Sequence, residues 1–148
     1  MESRVHFPIF KAYGCCKTEL ENVQGSTYDW ARLGAFDATE VPEEANLLVV
    51  SGWISPAVAE GLRDTYARMR GQKSVIAVGA CALSGGPYIL SGEKPVLASD
   101  ILPVDVYLPG CPPRPEALID ALRMLQQKLV PGPDTVKVLY SALKDMSR

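Results

Sequence analysis

The strongest constraint on the fold is a pair of short apolar runs, each closed by a glycine, with a proline-opened amphipathic stretch between them. Asn46-Leu47-Leu48-Val49-Val50-Ser51 ends at Gly52, and Ser74-Val75-Ile76-Ala77-Val78 stops at Gly79. Runs this short and this uniformly apolar suit parallel strands covered on both faces. Between them, Pro56 stands where a first helical turn tolerates proline. Val58, Leu62, Tyr66 and Met69 then recur at helical spacing, and Gly71 ends the helix. A third run, 104–108, is shorter and more polar. Pro112 and Pro113 open another helix with the stripe Leu118, Leu122, Leu125 and Leu129, and Pro131-Gly132-Pro133 breaks it. Strand, helix, strand, loop, strand, helix predicts an α/β fold, an open parallel sheet with helices on both faces. The handedness of such crossovers then restricts the topology. Residues 1–14 read as irregular, 22–33 as a helix stopped by Gly34, and 134–148 as a tail that is either helix or strand.

The chain has 148 residues, 47% of them apolar, which is enough for a single domain with one packed core. A formal charge of −2 argues against a general nucleic-acid binder and against polybasic attraction to anionic lipid. No apolar run approaches the roughly 20 residues that span a bilayer. Residues 1–8 contain no apolar signal core, so the expectation is a cytoplasmic protein whose membrane contact is peripheral.

Four cysteines in such a chain read as reduced thiols rather than as a disulfide framework. Inert packing is the bland alternative, because a free cysteine packs as a small hydrophobe. Position argues otherwise. Cys81 lies three residues past the second strand, in Gly79-Ala80-Cys81-Ala82-Leu83-Ser84-Gly85-Gly86. Cys111 lies three residues past the third, in Pro109-Gly110-Cys111-Pro112-Pro113. Parallel strands place both at the edge where open α/β sheets bind ligands. Glycines there let backbone approach a ligand closely, and backbone N–H groups can donate to sulfur. Cys111 is expected at the start of a helix, whose dipole favours a thiolate.

Cys15 and Cys16 are adjacent. Consecutive side chains diverge, and zinc sites usually space their thiolates by a few residues. A cluster with several irons suits adjacent cysteines better. From this pattern the alternatives are an iron–sulfur cluster on Cys15, Cys16, Cys81 and Cys111, a zinc-binding interaction module, a redox disulfide, and inert thiols. The glycines do not form a phosphate loop or a dinucleotide fingerprint.

Several segments together resemble one family. They are Cys15-Cys16, Tyr28-Asp29-Trp30-Ala31-Arg32-Leu33-Gly34, Leu48-Val49-Val50-Ser51-Gly52, the Gly79–Gly86 segment, and Pro103-Val104-Asp105-Val106-Tyr107-Leu108-Pro109-Gly110-Cys111-Pro112-Pro113-Arg114-Pro115-Glu116. The chain is similar, over about residues 10 to 130, to the 20 kDa (B-type) subunit of respiratory complex I. That family is related to the small subunits of [NiFe] hydrogenases, including the energy-converting group 4 enzymes. The resemblance implies a flavodoxin-like fold and one [4Fe–4S] cluster on Cys15, Cys16, Cys81 and Cys111. It also implies an electron-transfer role in a membrane-associated, proton-translocating oxidoreductase. The implied partners are a large 49 kDa-type or hydrogenase large subunit, a ferredoxin-like iron–sulfur subunit and membrane subunits, with quinone at the interface. The implied location is the cytoplasmic side of the cell membrane.

The chain also departs from the complex I pattern. Lys17-Thr18-Glu19-Leu20-Glu21 replaces the segment that usually ends in Glu-Met-Met, and it looks more like an energy-converting hydrogenase. Those hydrogenases, however, usually separate their first two cysteines. The connection from Gly86 to Ile101 is shorter than in typical complex I subunits. A quinone-reducing complex is the first reading and a group 4 hydrogenase the second. Glu19, Arg32 and Arg114 are candidates for a proton route or for tuning the cluster; salt bridges, helix capping and surface exposure are the plain alternatives. His6 reads as an N-terminal loop residue, and Trp30 and Trp53 as packing or interface residues.

Overall fold

The computed structural model describes residues 5–36, 39–92 and 94–128. Within them, four strands form one sheet: β1 (Pro8–Ala12), β2 (Leu47–Ser51), β3 (Ser74–Val78) and β4 (Val106–Leu108). All neighbours are parallel, in the order β1-β2-β3-β4. β2 and β3 are buried along their whole length, as their unbroken apolar runs require.

Among the described residues, five α-helices accompany the sheet: α1 (Cys15–Val23), α2 (Pro56–Arg68), α3 (Gly79–Ser84), α4 (Ala98–Ile101) and α5 (Pro115–Lys128). Alternation along each strand divides the core in two. Leu47, Val49, Ile76 and Val78 face α1 and α5, meeting Leu20, Val23, Leu118, Leu122 and Leu125. Leu48, Val50, Val75 and Ala77 face the other way, toward Ala59 and Leu62 of α2, Ala82 of α3 and Ala98 of α4.

The order of the strands raises a question of hand. Steps from β1 to β2 and from β2 to β3 run in one direction, yet α1 and α2 cover opposite faces. Crossovers of one hand cannot do that. An isolated parallel bridge between His6 and Ala35 resolves it. Phe7 O accepts from Leu47 N on the β2 side, whereas His6 N donates to Gly34 O and His6 O accepts from Phe36 N. Ala35 therefore lies outside β1. The chain leaves β1 outward under α1, touches the sheet at Ala35, and returns over the opposite face to β2. Every crossover then has the same hand, and the sheet is doubly wound with its second strand reduced to one bridge. This is the flavodoxin-like arrangement, and its switch point lies between β1 and β2.

Several local expectations change. Residues 8–12 form a strand rather than irregular chain. Pro8 opens it, where a missing N–H is tolerated, and Ile9 is buried while Lys11 is half exposed. His6 is buried at the bridge and is not a loose loop residue. The helix expected over 22–33 is instead α1, which begins at the cysteines, followed by a turn and a 3₁₀ segment at Trp30–Leu33. Gly25 and the left-handed Asp29 (φ 40°) separate the two. The third strand is shorter than 104–108, although Asp105 extends its pairing: its N donates to Val75 O, and its Oδ2 accepts from Val75 N at 2.9 Å. The last helix begins at Pro115 rather than at Pro112. Leu129, the break at 131–133 and the tail 134–148 lie outside the described residues.

Candidate metal centre

Every strand of a parallel sheet ends at the same edge. Cys15 follows the end of β1 by three residues, Cys81 follows β3 by three, and Cys111 follows β4 by three. The third-residue spacing seen for two cysteines in the sequence therefore applies to three. Cys16 is the next residue along α1, and β2 between them contributes Ser51 and Gly52. All four thiols are free.

Their surroundings differ. Cys15 and Cys16 open α1 after Gly14, so consecutive side chains leave the helix about 100° apart. Cys16 turns into the core with Leu20 and Val23 and is buried, whereas Cys15 is exposed. Cys81 lies on the first turns of α3, a short helix where glycine-rich loop was expected, and is half-buried. Cys111 is exposed in the turn before α5. It precedes the first residue of that helix by four positions, so the expected place in the first turn is corrected. The helix dipole acts there only from a distance.

The four thiols share one electrostatic neighbourhood. Burial pushes the Cys16 thiol up to about 12, and charge on Cys15, Cys81 and Cys111 adds to the rise. Burial likewise raises Cys81, with Cys111 and Cys15 contributing. Thiolates gathered in this way repel one another unless a cation lies among them. Among the described residues, no three His, Cys, Asp or Glu side chains form a group set to hold a metal ion.

Glycines keep that neighbourhood open. A Cβ on Gly79 (φ +86°) would stand 2.6 Å from Cys16 Sγ, and one on Gly86 would stand 3.0 Å from Cys81 Sγ. Any side chain at these positions would occupy space beside two of the four sulfurs.

The three other candidates fall in two places. Glu19 and Arg114 both act on the phenol of Tyr28, Glu19 raising its pKa and Arg114 lowering it. The largest cause of that raised pKa is Glu116, whose Oε1 accepts the Tyr28 hydroxyl at 3.3 Å. Glu19 and Arg114 thus belong to one polar group beside the cysteine edge. Tyr28 and Glu116 complete it, and sequence reasoning had not singled them out. Glu116 also lines a surface hollow of ≈ 650 Å³ with Pro109, Pro112, Pro113 and Arg114. Arg32 is elsewhere in character: its guanidinium is 82% exposed and pairs with Asp29 at 2.8 Å. Trp30 is buried against Phe10, and Trp53 lies beside Tyr88 with ring centroids 5.6 Å apart.

A doubly wound parallel sheet with cysteines at its carboxyl edge defines the class: a flavodoxin-like domain whose strand ends carry thiols. The family model of the NADH ubiquinone oxidoreductase 20 kDa subunit matches residues 14–125, and the chain belongs to that family. It is 44% identical over 123 residues to the B-type subunit of NADH-quinone oxidoreductase from Phocaeicola vulgatus, covering 83% of this chain and 62% of that one. With the corresponding NADH-quinone oxidoreductase protein of Clostridium beijerinckii the identity is 42% over 124 residues, covering 84% and 73%. The chain thus spans about two thirds of the curated relatives it matches. Among solved structures, it superposes with a TM-score of 0.71 and 30% identity on a chain of an archaeal membrane-bound sulfane sulfur reductase, a respiratory membrane complex. That match covers 82% of this chain and 69% of the other.

Proposed function

We propose that residues 1–148 form a single iron–sulfur domain that carries one [4Fe–4S] cluster on Cys15, Cys16, Cys81 and Cys111. In this reading the domain relays electrons within a membrane-associated oxidoreductase complex. The observation that carries the reading is the convergence of all four cysteines, from three strand ends, on the switch-point edge of the sheet. The site fits the group in two further ways. Gly79 and Gly86 leave space beside two sulfurs, and the adjacent Cys15 and Cys16 leave α1 in different directions, which suits a cluster with several irons better than a single zinc ion. When bound, the cluster supplies one-electron chemistry. The chain's own residues fix its position, and the buried Cys16 face shields it from water.

Electrons leaving the domain would pass to a catalytic site at the seam with a large 49 kDa-type subunit. Exposed apolar groups beside the cysteines support a protein partner there. Trp53 and Tyr88 lie side by side with their rings tilted 33° apart, and Ile89 and Leu90 are 52% and 91% exposed. A ferredoxin-like iron–sulfur subunit would feed the cluster, and membrane subunits would anchor the assembly on the cytoplasmic face. Among the described residues no helix is long and apolar enough to cross a membrane.

The NADH-quinone oxidoreductase relatives favour quinone as the acceptor. A second reading, a group 4 hydrogenase or related energy-converting complex, is favoured by the segment after the tandem cysteines. Leu20 stands where a quinone-channel methionine would be expected, and it is buried in the core at 1% exposure. It therefore does not line a channel. Replacing each cysteine by serine in the purified complex tests the ligand set. Each of the four changes should abolish or alter the reduced-state EPR signal. A signal lost with Cys15→Ser but unchanged by Cys81→Ser and Cys111→Ser would contradict it.

A further inference from the structure

Ser51 is a polar residue at the end of an otherwise aliphatic strand. It is fully buried, and among the described residues its Oγ has no hydrogen-bond partner. Its carbonyl is used, accepting Tyr13 N at 3.3 Å, but its hydroxyl is not. Leaving a buried hydroxyl unpaired forfeits the hydration it had in the unfolded chain, and alanine would pack here without that loss.

The position of this hydroxyl is informative. Strand alternation puts the Ser51 side chain on the face of Leu47 and Val49, which packs against α1. The register gives it Ala12 and Val78 as lateral neighbours, neither with a polar side-chain atom. Cys16 lies on the same face, and Gly79, directly after Val78, abuts its Sγ. The orphan O–H therefore sits at the switch point, at the carboxyl end of β2 and on the face that carries Cys16.

We propose that the Ser51 hydroxyl donates a hydrogen bond to sulfur in the loaded site, either the Cys16 thiolate or a cluster sulfide, and so raises the cluster's reduction potential. The inference rests on the cluster reading above. A donor to sulfur stabilises the more negative, reduced state more than the oxidised one. The hydroxyl keeps its proton throughout, so Ser51 is a tuning residue and not a proton carrier.

The experiment is an EPR-monitored redox titration of the complete complex containing wild-type chain, Ser51→Ala or Ser51→Thr. Ser51→Ala should lower the potential so that, at a fixed poise, the reduced-to-oxidised ratio falls about tenfold, which is ~59 mV for one electron. Ser51→Thr, which keeps the hydroxyl, should restore most of it. If alanine impairs assembly, Ser51→Thr and Ser51→Val, alike in shape and different in the hydroxyl, make the same comparison. Equal potentials within either pair would overturn the proposal. A wild-type complex with no cluster signal would bring down the functional reading itself. A wild-type cluster indifferent to the hydroxyl would bring down only this inference.

Discussion

Gly79 and Cys16 are in contact across the site: a Cβ built on the glycine would stand 2.6 Å from the cysteine sulfur. The glycine opens α3 directly after β3 and the cysteine lies in the first turn of α1, so the pair joins two elements far apart in sequence. Gly79→Ala should therefore displace Cys16 and prevent cluster assembly, as well as straining a backbone at φ +86°. Gly71→Ala is the matched control. It shares a positive φ of +70° but meets nothing within 4 Å. It should cost about 1–2 kcal/mol in urea denaturation and leave the cluster intact. Equal cluster content in the two variants would refute the contact argument.

The core on the α1–α5 face should be sensitive to truncation. Leu122 is fully buried there, and Leu122→Ala should destabilise the protein by about 2–5 kcal/mol in chemical denaturation. Leu90→Ala, at a side chain 91% exposed, should change stability by no more than about 0.5 kcal/mol.

Tyr28 should titrate abnormally. The Glu116 carboxylate raises its phenol above the ordinary value of 10.0, because a phenolate beside a carboxylate is disfavoured. The neutral phenol is thus the form that folding favours. Its contribution is present below the ordinary tyrosine range and is lost as the pH rises through the raised value. The difference between wild-type and Tyr28→Phe absorbance titrations should show one late-ionising tyrosine, and Glu116→Gln should bring it back toward the ordinary range. A Tyr28 that titrates normally in wild type would show that the 3.3 Å contact is not held in solution.

Glu43 gives a signal of the opposite sign. The hydrogen bond from Arg68, at 2.7 Å, holds its carboxyl below the ordinary 4.5. Its contribution is therefore complete above that value and disappears as the pH falls through the lowered one. Arg68 is half exposed and Glu43 about a third exposed, so water screens the pair and the effect should be small. Thermal denaturation between neutral and acid pH should show a shallower acid decline in Glu43→Gln than in wild type.

Much of the sheet was legible because β2 and β3 are buried on both faces, so their runs are uniformly apolar and end cleanly at glycine. β1 was not, because proline opens it and a half-exposed lysine interrupts it, so neither a continuous nor an alternating pattern appears. The reduced strand at Ala35 leaves no sequence period at all, although it decides the winding of the sheet. α1 was missed because its apolar spacing runs through Cys16, Leu20 and Val23, and the first of these reads as chemistry rather than as core. Cys81 and Cys111 could be placed at one sheet edge from sequence, because the strands before them were legible; Cys15 and Cys16 could not, because β1 was not, and only the family resemblance joined them to the set. Tyr28 and Glu116 could not, because their contact joins residues 88 positions apart. Ser51 gave no signal, because a serine closing a strand looks like any other end.

The central claim is that these four thiols hold an iron–sulfur cluster. Its most direct test is metal and sulfide analysis of the anaerobically purified complex, with EPR before and after dithionite. The expected result is iron and acid-labile sulfide in equal amounts, including the share of one [4Fe–4S] cluster for this chain, with a reduced-state signal that depends on Cys15, Cys16, Cys81 and Cys111. Stoichiometric zinc on this chain, with no signal traceable to its cysteines after reduction, would contradict it.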